Sequence, residues 1–270
     1  MLEKLQLYFA YDFVKFALVV GVLVALCAAL LGVTLVLKRY SMIGDGLSHV
    51  GFGALAVASA FHLAPLAVTV PVVVLSAILL LRLRGSSRVK GDAAIAIISS
   101  SALAIGVIVV SVTSGMNTEV SSYLFGSILS LSRGDAVLSV ILSLAVLALF
   151  LLFYPRLFAV TFDETFARAT GTRADLYNTL LAVLTAVTVV IGMRMMGALL
   201  ISSLIIFPAL SAMKLCRSFR SVILCAALIS VVCFLVGMIA SYAFETPSGA
   251  SVVAADLIAF ALCSLFGRKG

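Results

Sequence analysis

Charge is scarce in this chain. Only 11% of its 270 residues are Asp, Glu, Lys or Arg, against about 25% in soluble domains. A water-soluble fold is excluded on that ground. Tryptophan is absent, so an interfacial aromatic belt must be made of Tyr and Phe. Cys27, Cys216, Cys225, Cys233 and Cys263 are odd in number, lie mostly in apolar runs and show no CxxC spacing. They read as small hydrophobes. No GxxxxGK[ST] loop and no nucleophile or hydrolase pattern occurs, so the chain does not bind ATP in the usual way. The N-terminus, MLEKLQLYFAYDFVKF, lacks a small-residue cleavage site before its apolar run, which argues against a cleavable signal peptide.

What is present is hydrocarbon: 64% of residues are hydrophobic and the mean hydropathy is +1.29. At about 20 apolar residues per spanning helix, the chain supplies eight to ten helices and little else. The expected fold is an all-α polytopic membrane bundle, one domain over residues 1–270. Apolar runs bounded by charge, Pro or Gly fall at about 13–37, 43–61, 64–82, 92–113, 135–155, 174–193, 195–213, 219–243 and 250–267, nine candidate spans. Residues 117–131, NTEVSSYLFGSILSL, suit a re-entrant or interfacial helix better than a tenth span.

The net charge of +7 is no nucleic-acid signal, because the basic residues sit in short loops between apolar runs. With the N-terminus outside, 14 of the 18 Lys and Arg residues fall on the inner side and 4 on the outer. That split places the C-terminus in the cytoplasm. Pro65 suits a first helical turn, Pro71 should kink its span, and Asp92 is placed to cap the fourth. TPSG at 246–249 reads as a tight outer turn. Pro208, in GALLISSLIIFPALSAM, removes a mid-helix hydrogen bond. Such a break is tolerated in a membrane only against protein or a water-filled cavity, which suggests a pathway; a simple kink is the equal alternative.

Between spans five and six lies YPRLFAVTFDETFARATGTRAD, residues 154–175, with the segment off the spans at about 156–175. Phe162, Phe166 and Ala169 recur at helical spacing, Asp163 and Glu164 load the first turn, and Gly171 ends it, so a short amphipathic helix is expected. It either lies flat at the lipid interface or docks into a cytoplasmic partner.

The stretch KRYSMIGDGLSHVGFGALAVASA, at 38–60, organises the rest. After the basic pair Lys38 and Arg39, it carries Asp45 and His49 four residues apart, on one helical face. Ionisable groups inside lipid mark a path or a site by default. One oxygen and one nitrogen ligand suit a borderline divalent cation such as zinc, manganese or iron. Zinc takes about four ligands, so a two-fold dimer would complete the set, and Gly44, Gly46, Gly51 and Gly53 permit the close approach that requires. The competing structural reading has Asp45 capping the helix and His49 donating to a carbonyl. His62 falls in an outer turn before Pro65 and reads either as a solvated loop histidine or as a group that helps receive a metal. Asp256, in the last span, needs a partner such as Arg194 or a hydroxyl; its role is structural pairing or part of a pathway. Met193, Met195 and Met196 read as packing, and Glu245 as solvated.

KRYSMIGDGLSHVGFGALA resembles the signature of the permease subunits of ABC-type divalent metal importers, the zinc/manganese group. FDETFARATG, GALLISSLIIFPALSAM and TPSGA are similar to that family's later motifs, in order, over about residues 12–267. The resemblance implies a homodimeric permease in a prokaryotic cytoplasmic membrane, paired with two separate ATPase subunits and fed by an extracytoplasmic metal-binding protein. By resemblance the metal ligands map to Asp45 and His49, and the ATPase-coupling segment to about Phe162–Gly171, including Asp163, Glu164, Phe166 and Ala167. Zinc is the first choice of substrate, with manganese or iron as alternatives. A gradient-driven secondary transporter or channel using Asp45, His49 and Asp256 is the rival. A membrane enzyme is a third reading, for which no second catalytic acid or nucleophile stands out.

Overall fold

The computed structural model describes residues 12–84, 91–113, 124, 126, 133–198 and 200–267. Eleven helices are described: α1 (Asp12–Leu37), α2 (Ile43–Ala60), α3 (Pro65–Arg84), α4 (Gly91–Thr113), α5 (Arg133–Leu152), α6 (Tyr154–Phe162), α7 (Glu164–Ala169), α8 (Ala174–Met196), α9 (Ile201–Leu215), α10 (Phe219–Phe244) and α11 (Ser248–Phe266). Each of the nine expected spans corresponds to one of them. Seven are long and apolar enough to cross a membrane. The other two, α2 and the 15-residue α9, are the more polar and the shorter. Most of the 117–131 segment and the extreme N-terminus lie outside the described residues.

α1 and α8 form the centre and are the most enclosed of the seven long helices. α2 packs on α3, α4, α8 and α9, while α10 and α11 pair with each other and close against α1 and α9. Small residues set these distances. A Cβ on Gly32 of α1 would stand 2.0 Å from the Ile205 carbonyl oxygen of α9, so the two backbones touch. Polar ties cross the same interfaces: Ser230 Oγ donates to the Ala25 carbonyl at 2.9 Å, and the Cys27 thiol to the Ser143 carbonyl at 3.4 Å. This is helix association as lipid demands it, by close packing and interhelical hydrogen bonds.

The outer helices α3, α4, α5 and α11 are mostly uncovered. They present Leu75, Ile97, Ile108, Val112, Leu151 and Leu265 outward, a surface that only an apolar solvent tolerates. By contrast α2, with its carboxylate and imidazole, has 13 of 18 residues buried. The least apolar span is kept from the periphery, as the cost of polar groups in hydrocarbon requires.

Proline and glycine fall as the chain direction needs. Pro65 opens α3, while Pro71 and Pro208 lie inside α3 and α9. Asp92 stands in the first turn of α4. In the outer turn, Glu245 takes a left-handed conformation (φ 54°) to end α10, and α11 begins two residues after Thr246.

Candidate metal site and coupling segment

Asp45 and His49 do share one face of α2. His49 Nε2 lies 3.7 Å from Asp45 Oδ2, too far for a hydrogen bond, with the imidazole 12% and the carboxylate 35% exposed. Neither structural role open to them is met. The residue preceding the helix is Met42 and no side chain caps the first turn. His49 Nδ1 is buried without a hydrogen-bond partner, and the Asp45 carbonyl one turn earlier is taken by Ser48 Oγ at 2.8 Å. The pair is set beside α4 and α9: Gly44 faces Ile205 of α9, and Gly46 faces Ile95 of α4. Pro208, one turn beyond Ile205, is buried inside α9, which runs unbroken from Ile201 to Leu215 beside the stretch that carries the pair.

His62 does not join them. It is exposed, with φ 53°, past the opposite end of α2 and 13 residues from His49. Asp256 is 1% exposed on α11, beside the Cys233 thiol of α10, and both its oxygens lack a hydrogen-bond partner. Of the two partners open to Asp256, Arg194 or a hydroxyl, Arg194 is engaged elsewhere: its Nη1 lies 2.8 Å from Asp135 Oδ2, joining α8 to α5. Arg194 lies in the last turn of α8 and Asp135 in the first turn of α5, so the two helix ends meet where the two charges can pair. All five cysteines are free. Among the described residues no three His, Cys, Asp or Glu side chains converge on a metal-sized site.

The expected single amphipathic helix is in fact two. α6 and α7 are separated by Asp163, whose backbone is extended (φ −146°, ψ 94°) and whose side chain accepts the Phe166 N–H at 2.8 Å. An Asp that caps the following helix must itself leave helical geometry, which is why Phe162 closes α6 rather than opening α7. The stripe also faces differently. Ala167 is buried, whereas Phe162, Phe166 and Ala169 are exposed. Gly171 takes φ 84° and the Thr172 N–H returns to the Ala167 carbonyl at 2.9 Å, closing α7 as read from the sequence. Phe162 stacks with Phe158 (4.8 Å between centroids) and Phe219 (5.6 Å), an aromatic cluster at this end of the bundle.

Glu164 holds the segment to the bundle. Its Oε2 accepts from Asn178 Nδ2 at 3.1 Å and Lys38 Nζ at 3.4 Å, and its Oε1 from Arg168 at 2.8 Å. Burial alone would raise its pKa. The hydrogen bonds from Arg168 and Asn178 and the charge of Lys38 outweigh that and hold it below the usual carboxylate range. Arg168, bonded to Glu164 and also gripping both oxygens of Asp175 on α8, stays charged more firmly for these contacts. A cleft of about 540 Å³ opens beside this network, lined by Tyr40, Arg82, Glu164, Arg168 and Asn178 among others. Asn178 is the residue that sequence reasoning missed here, and in the sequence Lys38 reads only as half of a basic pair. The signal available was a basic residue at a span end and an amide in the first turns of another.

Such a molecule is a multi-pass helical membrane protein, with ligand-capable side chains held inside and a structured segment at one end. The chain belongs to the ABC 3 transport family, whose match runs over residues 10–267. It is the membrane subunit of an ABC transporter. The zinc uptake membrane protein ZnuB of Haemophilus influenzae is 30% identical over 94% of this chain and 97% of its own. The manganese import permease ScaB of Streptococcus gordonii is 28% identical over 98% and 94%. The solved PsaBC from Streptococcus pneumoniae, in complex with Fab, superposes with a TM-score of 0.89 at 28% identity, covering 100% of this chain and 97% of that one.

Proposed function

We propose that this chain is the permease of an ATP-driven importer of divalent metal ions, with Asp45 and His49 as the ligands it presents to the ion. The observation that carries the site is the state of the pair: His49 Nε2 stands 3.7 Å from a half-open carboxylate oxygen that it does not hydrogen-bond, and the ring's other nitrogen, Nδ1, is buried without a partner. Buried polar atoms are normally satisfied, and an exception calls for an explanation. A cation coordinated by Nε2 and the carboxylate explains why those two groups stand close without bonding each other. Relatives named for zinc and for manganese support the substrate class, and zinc is the first ion to test.

Two copies about a two-fold axis would place four ligands on the ion, a sparse set from which it can leave again. A separate ATPase pair engages the exposed Phe162 and Phe166 around the capped α7, while an extracytoplasmic binding protein delivers the ion to the opposite face. The nine helices at the expected spans, with 14 of the 18 basic residues on the inner side, support an outer N-terminus and a cytoplasmic α6–α7 in a bacterial cytoplasmic membrane.

The test is zinc and manganese uptake in vesicles holding the complete transporter. Asp45→Ala and His49→Ala should each abolish uptake with assembly intact. Wild-type uptake in both variants removes the site. Uptake that collapses with a protonophore and persists without any ATPase replaces the ATP-driven importer with a gradient-driven one.

A further inference from the structure

The turn that leads into the Asp45/His49 helix is tied to the α6–α7 segment by one ammonium group. Lys38 Nζ donates to Asn178 Oδ1 at 2.6 Å, to the Val160 carbonyl at 3.0 Å and to Glu164 Oε2 at 3.4 Å. Its side chain is only 6% exposed. The three acceptors belong to three helices, α8, α6 and α7, so the three donors of one lysine hold three elements together. Asn178 closes the ring by donating to Glu164.

On the other side of Lys38 the backbone is stiff. Its own N–H returns to Thr34 at 3.0 Å, Arg39 N–H to Val36 at 3.0 Å, Tyr40 N–H to Leu35 at 2.7 Å and Ile43 N–H to Tyr40 at 3.0 Å. Arg39 sits at φ 58°, a conformation a non-glycine residue keeps only where its surroundings hold it. Asp45 follows two residues after Ile43. Glu164 and Asp45 are thus linked by one charged contact and seven residues of chain, in which the N–H groups of Lys38, Arg39, Tyr40 and Ile43 return backbone hydrogen bonds.

We propose that Lys38 is a positioning residue that conveys movement of α6–α7 to the Asp45/His49 end of α2. The proposal rests on the transport reading given above. A satisfied buried ammonium resists the withdrawal of any one acceptor, because the loss leaves charge in a low-dielectric place. If α7 moves, Lys38 and the stiff turn behind it move too. An elastic linker would absorb the displacement; the bonds at Lys38, Arg39, Tyr40 and Ile43 restrain this one.

The experiment uses the complete transporter in liposomes, with zinc and manganese tested separately, and reads metal moved per ATP hydrolysed. Lys38→Met should assemble and hydrolyse ATP near the wild-type rate, while metal moved per ATP falls about tenfold, in the range of allosteric couplings. Asn178→Leu removes the shortest of the three bonds without altering the exposed face of α7, and should show the same loss; it covers the case in which Lys38→Met does not assemble. An anchor that merely stabilised the fold would lower assembly and leave the ratio unchanged, and an unchanged ratio in the assembled variants overturns the proposal. Wild type and Asp45→Ala are run alongside. If wild type moves neither metal, the transport reading fails. If wild type moves metal and Asp45→Ala does not, an unchanged ratio in Lys38→Met sinks only the role of Lys38.

Discussion

Gly53 on α2 packs so closely on Ala102 of α4 that a Cβ on the glycine would stand 2.6 Å from the alanine's carbonyl oxygen. Seven residues earlier Gly46 faces Ile95, and from α4 Gly106 faces Phe52 and the Gly53 backbone in turn. The obstruction at Gly53 is main chain and cannot rotate away. Gly53→Ala should therefore push the helices apart and cost about 1–3 kcal/mol. Gly44→Ala should cost less, because its nearest neighbour, 3.2 Å away, is the flexible Cδ1 end of Ile205. Thermal unfolding of both variants in detergent checks the order, and a larger loss at Gly44 would contradict this account of how α2 is seated.

Much of this architecture could be read from the chain because a membrane imposes length and hydropathy on every span. The Asp45/His49 pair was legible for the same reason: two ionisable groups four residues apart stand out in an apolar run. What escaped was interaction between distant segments. Lys38 finds its acceptors 122, 126 and 140 residues away, and one of them is a backbone carbonyl, so no periodicity or motif marks them. The break at Asp163 escaped because an acidic residue suits a helix cap and a helix first turn alike. Arg194, one of the partners open to Asp256 in the sequence, pairs with Asp135 instead, 59 residues earlier in the chain.

Acid should loosen α7. Glu164 has a folded-state pKa held below its ordinary value of 4.5, so folding favours its charged form. The stabilisation is complete above the unfolded value and is lost as pH falls through the folded one. The segment should hold its place at neutral pH and release below about 4.5. A spin label at Ala169→Cys, in a background with the native cysteines replaced, should become mobile over that window. Glu164→Gln should make its mobility much less dependent on pH in the same range. A label equally immobile through the acid range in the parent would contradict the role given to this carboxylate.

The Arg194–Asp135 pair yields an asymmetric prediction. Arg194 is 10% exposed and Asp135 26%, so the guanidinium depends more on its partner than the carboxylate does. Asp135→Ala removes the counter-ion of a mostly buried cation, a class of change that costs about 3–5 kcal/mol at full burial and less here, where water reaches the acid. Arg194→Met leaves behind the better-solvated group and replaces the stem with apolar volume, so it should be milder. The double variant Asp135→Ala/Arg194→Met should be more stable than Asp135→Ala alone, since it also removes the stranded charge. Unfolding midpoints of the three variants decide the matter. If the double variant shows the sum of the single losses, the two side chains act independently and the contact does not bind α5 to α8.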